Sequence, residues 1–173
     1  MLKMMIATVL IAAIAVGALL WKRSAPDPKA NVVDIARYVA RSDFSDLSEE
    51  QKRPYMNALR FKIEKVNEAH AAGKLNDTQF KAANQYAWMA RQLDHMDTYF
   101  ALAPGAQRDA FLDKIIDKKV AAGAGKPKAE GMAKDEEFMS EWSQSWSSSR
   151  QAQFAVYRDA LSARYKARGI VKK

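Results

Sequence analysis

From Pro54 to Pro104 the chain reads PYMNALRFKIEKVNEAHAAGKLNDTQFKAANQYAWMARQLDHMDTYFALAP, and this stretch decides the fold. Met56, Leu59, Ile63, Val66 and His70 recur in steps of three and four, the spacing that lines one face of an α-helix. Gly73 ends that run as a C′ residue. Asn76-Asp77-Thr78-Gln79 is a capping sequence that opens a second helix, with Ala82, Tyr86, Met89, Leu93, Met96 and Phe100 on its apolar face and Ala83, Ala87 and Ala90 beside them. Pro104-Gly105 stops it. Two amphipathic helices joined by so short a turn fold back on each other as an antiparallel hairpin. Reflection about Lys74 sets Val66 against Ala83, Ile63 against Tyr86, Met56 against Leu93 and Lys52 against Asp97.

Working outward, Ser48-Glu49-Glu50-Gln51 fits a capping box at the start of the first hairpin helix. Pro54 lies six residues past Ser48, where its ring meets the carbonyl of Glu50, so the helix either kinks there or restarts at the proline. Ala30 to Arg41 reads as a helix with Val32, Ile35, Ala36 and Val39 along one side, and Ser42 to Leu47 as a turn. Ala106 to Ala122 makes a shorter helix presenting Phe111, Leu112, Ile115, Ile116 and Val120. A final helical region runs from about Lys134 to Arg168, and Ser147-Ser148-Ser149 breaks it, with Ser148 and Gln151 set to recap it. No segment alternates with the period of a strand. The expected fold class is all-α: a small helical bundle built on the hairpin, behind a single N-terminal transmembrane helix.

The N-terminal helix is read from Met4–Trp21, which carries no charge and one polar residue, Thr8, before Lys22-Arg23. At 1.5 Å per residue this stretch spans roughly 27 Å, close to the thickness of a bilayer's hydrocarbon core. Trp21, Lys22 and Arg23 are the residue types that sit among lipid headgroups. A secretory signal cleaved behind Ala18 is the competing reading, against which the apolar run continues through Leu19, Leu20 and Trp21. Lys3 stands on one side of the stretch and Lys22, Arg23 and Lys29 on the other, so the charge rule leans the body of the chain toward the cytoplasm. The organisation expected is an anchor over 1–23, a Pro-Asp-Pro spacer over 24–29, a helical bundle over 30–122, a Gly-rich linker over 123–132 and a C-terminal helical region with a basic tail over 133–173.

The formal charge of +8 lies at the two ends. Lys3, Lys22, Arg23, Arg164, Lys166, Arg168, Lys172 and Lys173 account for it; set aside, they leave 20 basic residues facing 20 acidic ones. A neutral body lacks the basic face that binds nucleic acid, so nucleic acid is not an expected partner. Phe154, Tyr157, Leu161 and Tyr165 share one side of the last helix, beside Arg164, Lys166 and Arg168. That pattern suits either a helix packed on the bundle or one lying on anionic lipid.

Catalytic and metal chemistry find little to work with. The residues three before His70 and His95 are Asn67 and Gln92, so the Glu-x-x-His pair of a carboxylate-bridged metal centre is missing. The two imidazoles fall roughly 24 Å apart on the hairpin. There is no cysteine, no Gly-x-Ser-x-Gly elbow and no phosphate-binding glycine pattern. His95 stands between Asp94 and Asp97 on what reads as an exposed turn, where the acidic neighbours would raise its pKa. No catalytic residue, cofactor or metal is expected.

The most unusual local feature is Phe138, Trp142 and Trp146, aromatic residues on one side of a helix otherwise rich in serine and glutamine. They either pack on the hairpin or anchor a protein partner, since tryptophans dominate many interfaces. The expectation is a membrane-anchored, non-catalytic adaptor or assembly subunit whose partners are the bilayer and another protein, with these three residues as its contact. The alternative is a peripheral membrane-binding element acting through the basic amphipathic C-terminal helix, and an enzyme of unknown type comes third.

Overall fold

A computed structural model describes residues 24–121, 140–144 and 146–170. The apolar stretch of 1–23, the linker over 123–132, Phe138, Lys172 and Lys173 lie outside them. Among the described residues every regular element is helical: α1 (Val32–Val39), a 3-10 turn (Ser42–Phe44), α2 (Glu49–Ala71), α3 (Asp77–Ala101), α4 (Ala106–Ala121) and α5 (Ser148–Ala167). A helical turn over 140–143 precedes α5. No helix among the described residues is long and apolar enough to cross a membrane.

The hairpin of α2 and α3 is the frame, and local chemistry bounds it. Ser48 Oγ accepts from Gln51 N at 3.3 Å while Gln51 Oε1 accepts from Ser48 N at 3.0 Å. Asn76 and Gln79 repeat this reciprocal cap on α3 at 2.9 and 3.0 Å. Each satisfies two backbone donors that a helix start leaves open. Gly73 closes α2 with φ +68°, and Lys74 N donates to Ala69 O across it at 2.9 Å. A side chain in that left-handed conformation would be strained, which is why glycine ends the helix there. α2 runs unbroken through Pro54, whose missing N–H frees the Glu50 carbonyl on the exposed side.

The apolar residues form two clusters along this frame. Toward the α2–α3 turn, Ile35, Ala36, Val39 and Phe44 pack on Leu59, Val66, Ala83 and Ala87. At the other end, Met56, Met89, Leu93 and Met96 pack with Leu112, Ile115 and Ile116 of α4 and with Phe154, Tyr157, Leu161 and Tyr165 of α5. The expected register is present: Val66 and Ala83 share the first cluster, with Ile63 and Tyr86 packed against it, and Met56 and Leu93 share the second. One pair departs from it. Lys52 is 2 % exposed and donates through Nζ to Ser45 O at 2.6 Å, while Asp97 pairs with Arg150. The turn before α2 folds over Lys52, and a buried ammonium takes the nearest carbonyl.

The turn over Ser42–Leu47 does more than connect. Phe44 is fully buried, edge-on to Tyr38, Tyr55 and Tyr86 with ring centroids 5.3, 5.9 and 4.7 Å away. On α3 it is Tyr99 that is buried where the spacing favoured Phe100, because Tyr157 of α5 meets it at 5.6 Å. The break before α5 falls one residue earlier than expected: Ser147 is the cap, accepting from Arg150 N at 3.3 Å.

Candidate functional site

Trp142 and Trp146 stand at the end of the bundle where α5 begins. Trp146 N donates to Ser143 O at 2.9 Å, and Gln151 Nε2 reaches back to Ser143 O and Trp146 O at 2.9 and 3.2 Å. These bonds fold the segment onto the start of α5. The indoles meet edge to face at 4.8 Å, and Trp146 meets Phe154 at 5.4 Å. Trp142 is 8 % exposed and Trp146 5 %, both inside the second apolar cluster. Packing on the hairpin and α5, the first of the two readings of this pair, removes their faces from solvent. Phe138 lies outside the described residues.

The basic end of α5 lies along α4. Arg164 donates to Asp113 at 2.8 and 2.5 Å, with Asp109 3.6 Å away, and Arg168 pairs with Asp117 at 2.6 Å and Asp113 at 3.5 Å. The Arg164 hydrogen bonds hold the Asp113 carboxyl below the usual carboxylate range. Of the three basic residues at the end of α5, Arg164 and Arg168 are thus engaged by α4, whereas Lys166 is exposed. The apolar side of the same helix, Phe154, Tyr157, Leu161 and Tyr165, is core. An anionic membrane would have to compete with carboxylates already in place.

His95 is not on an exposed turn. It is largely buried and faces Phe111 of α4 edge-on at 6.1 Å, and its Nδ1 has no hydrogen-bond partner among the described residues. Burial pushes its pKa down to about 4, outweighing the opposite pull of Asp94, and Lys119, Arg91 and Lys118 push the same way. The expected rise is reversed because desolvating an imidazolium costs more here than one half-exposed carboxylate returns. His70 bonds Asp77 at 3.0 Å and stacks on Phe80 at 4.0 Å, an edge-of-core role. Among the described residues no group of histidines and carboxylates is arranged to hold a metal ion.

A groove of about 200 Å³ lies open on the α2–α3 face, lined by Arg53, Asn57 and Arg60 on one side and Leu93, Asp94 and Asp97 on the other. Its charges are internally paired. Arg60 meets Asp94 at 2.8 Å, Arg150 meets Asp97 at 2.5 Å, and Arg53 meets Glu49 at 3.4 Å. Arg60 also lies over the ring of Phe61, 4.3 Å from its centroid. Phe61 is 76 % exposed, the most solvent-facing of the large apolar residues described. Phe61 falls between Leu59 and Ile63, off the helical stripe, and that displacement from an otherwise regular stripe is its one signal in the sequence. Compared with protein-family models, curated proteins and solved structures, the chain matches none of them.

Proposed function

We propose that this protein is a membrane-anchored helical adaptor or assembly subunit that binds a protein partner and performs no chemistry of its own. The observation that carries this reading is Met4–Trp21, an apolar stretch of bilayer length joined to a helical body. In support, the polar groups beside the open groove are matched as arginine–carboxylate pairs, an arrangement that fastens helices rather than moving protons. The contact residues expected from sequence, Trp142 and Trp146, serve the core, so the surface to test is the outer side of α2. There an exposed phenylalanine is stacked by an arginine, residue types suited to anchoring an interface.

The test is purification of the full-length chain from native membranes, with and without Phe61→Ser. A stoichiometric partner that is lost with Phe61→Ser, at unchanged melting temperature, supports the adaptor reading and this surface. A partner retained by the variant moves the surface elsewhere. Absence of any partner from wild-type membranes overturns the reading. The alternative, a peripheral membrane element acting through the last helix, requires α5 to leave the core; flotation of the full chain lacking 1–23 with anionic vesicles would support it.

A further inference from the structure

Pro26, Lys29 and Ala30, in the segment between the apolar stretch and α1, are tied to α2 at two levels. Tyr55 Oη donates to Pro26 O at 3.1 Å. Seven residues along the same helix, Lys62 Nζ donates to Ala30 O at 2.7 Å and lies 3.5 Å from Lys29 O. Between these ties the segment is braced from within, since Lys29 N donates to Asp27 Oδ1 at 2.7 Å and Ala30 N to Asp27 O at 2.8 Å. Pro26 and Pro28 remove further freedom by holding their own φ. The short proline spacer is a strut bonded to the bundle.

The strut has a direction. Its earlier residue meets Tyr55 and its later residues meet Lys62, levels about 10 Å apart on the helix axis, so the chain travels along α2 from N- to C-terminus. Traced backward, it leaves the bundle toward the beginning of α2, beside the Ser42–Leu47 turn that precedes Ser48. Pro26 is five residues beyond Trp21, and even fully extended chain covers at most about 17 Å in that interval. The α2–α3 turn at Gly73 lies about 27 Å past Tyr55 in the other direction.

We infer that the bundle is held upright on the bilayer, with the end formed by the start of α2 and the Ser42–Leu47 turn against the lipid headgroups and the α2–α3 turn pointing away. This inference rests on the anchor proposed above and adds the face that meets the membrane. The occupant of that end is the same bilayer that holds the anchor, because the chain between Trp21 and Pro26 spans at most about 17 Å, short of the α2–α3 turn, and the strut leads back toward the start of α2. Phe61 then projects sideways between the two ends, where a membrane-bound partner can reach it.

The chain contains no cysteine, so single labels can be placed cleanly. Full-length Glu50→Cys and Lys74→Cys, carrying the same fluorophore, are put into phosphatidylcholine vesicles with nitroxide-labelled headgroups. The two positions are about 36 Å apart along the hairpin, and the label at 50 should be quenched at least about threefold more than that at 74. Adding Tyr55→Phe with Lys62→Met cuts the strut while keeping the aromatic ring, and the difference should shrink. If that pair lowers the helical melt, Lys62→Met alone carries the comparison. Release of the chain by alkaline carbonate overturns the anchor and this placement together. Retention with equal or reversed quenching overturns the placement and leaves the anchor standing. A difference that survives cutting the strut overturns the role given to Tyr55 and Lys62.

Discussion

Arg164 of α5 and Asp113 of α4 meet through two parallel hydrogen bonds, Nε to Oδ1 at 2.8 Å and Nη2 to Oδ2 at 2.5 Å. A planar guanidinium matched to a planar carboxylate fixes both the separation and the rotation of the two helices. With Arg168 on Asp117 one turn further, the end of α5 is fastened along α4.

This fastening should be sensitive to salt and acid. In a double-mutant cycle, Arg164→Ala and Asp113→Ala should couple favourably in low salt, and the coupling should shrink in about 0.5 M salt, where the Debye length falls below the size of the pair's surroundings. The folded pKa of Asp113 lies below its unfolded value. Its contribution is therefore complete above the ordinary carboxylate pKa and is lost as pH falls through the lower folded value. Asp113→Asn should flatten that limb of a melting-temperature profile; an unchanged profile would show the pair to be inert.

Trp146 should behave as a core residue. Trp146→Ala is expected to cost about 3–5 kcal/mol in chemical denaturation, as removal of a buried aromatic does. Phe61→Ser, on the exposed side of α2, should change stability by less than about 0.5 kcal/mol. Equal effects from the two would contradict the burial of one and the exposure of the other.

Phe44 tests the turn before α2. It touches rings from α1, α2 and α3, so Phe44→Ala should cost about 3–5 kcal/mol although it lies outside the main helices. A loss below about 1 kcal/mol would reduce the turn to a connector.

His95 predicts an acid limb of its own. Its folded pKa of about 4 lies under the ordinary 6.5, so between those values the unfolded chain binds the extra proton. Stability is complete above pH 6.5 and declines as pH falls toward about 4. Discounted for partial solvent access, the loss should be on the order of 1–2 kcal/mol. His95→Leu should remove it, measured as denaturation midpoints at pH 7 and pH 4.5 (test conditions). Parallel losses in wild type and variant would assign the decline to other groups.

The hairpin was legible from residues 48–104 because its signals are local. Caps at Ser48 and Asn76, a left-handed residue at Gly73 and a three-four stripe each act within a few residues, and the pairing of Met56 with Leu93 follows from the turn position alone. The environments of Trp142, Trp146 and His95 were not legible. An aromatic stripe looks the same whether it faces a partner, a bilayer or the next helix, and a histidine between two aspartates looks readily protonated until a phenylalanine from another element covers it.

By itself, then, the amino-acid order determined the helices, the ends of the hairpin and the antiparallel pairing of the two longest, since hydrogen-bond caps and helical periodicity are set by neighbours in the chain. Only the tertiary structure decided which surfaces survive. The docking of α5 buried Trp146 and Tyr157 and engaged Arg164, and the ties from Tyr55 and Lys62 turned a proline spacer into a strut. The physical reason is range: burial and ion pairing depend on residues about 30 to 55 positions apart in the chain, and their meeting is written in no local pattern.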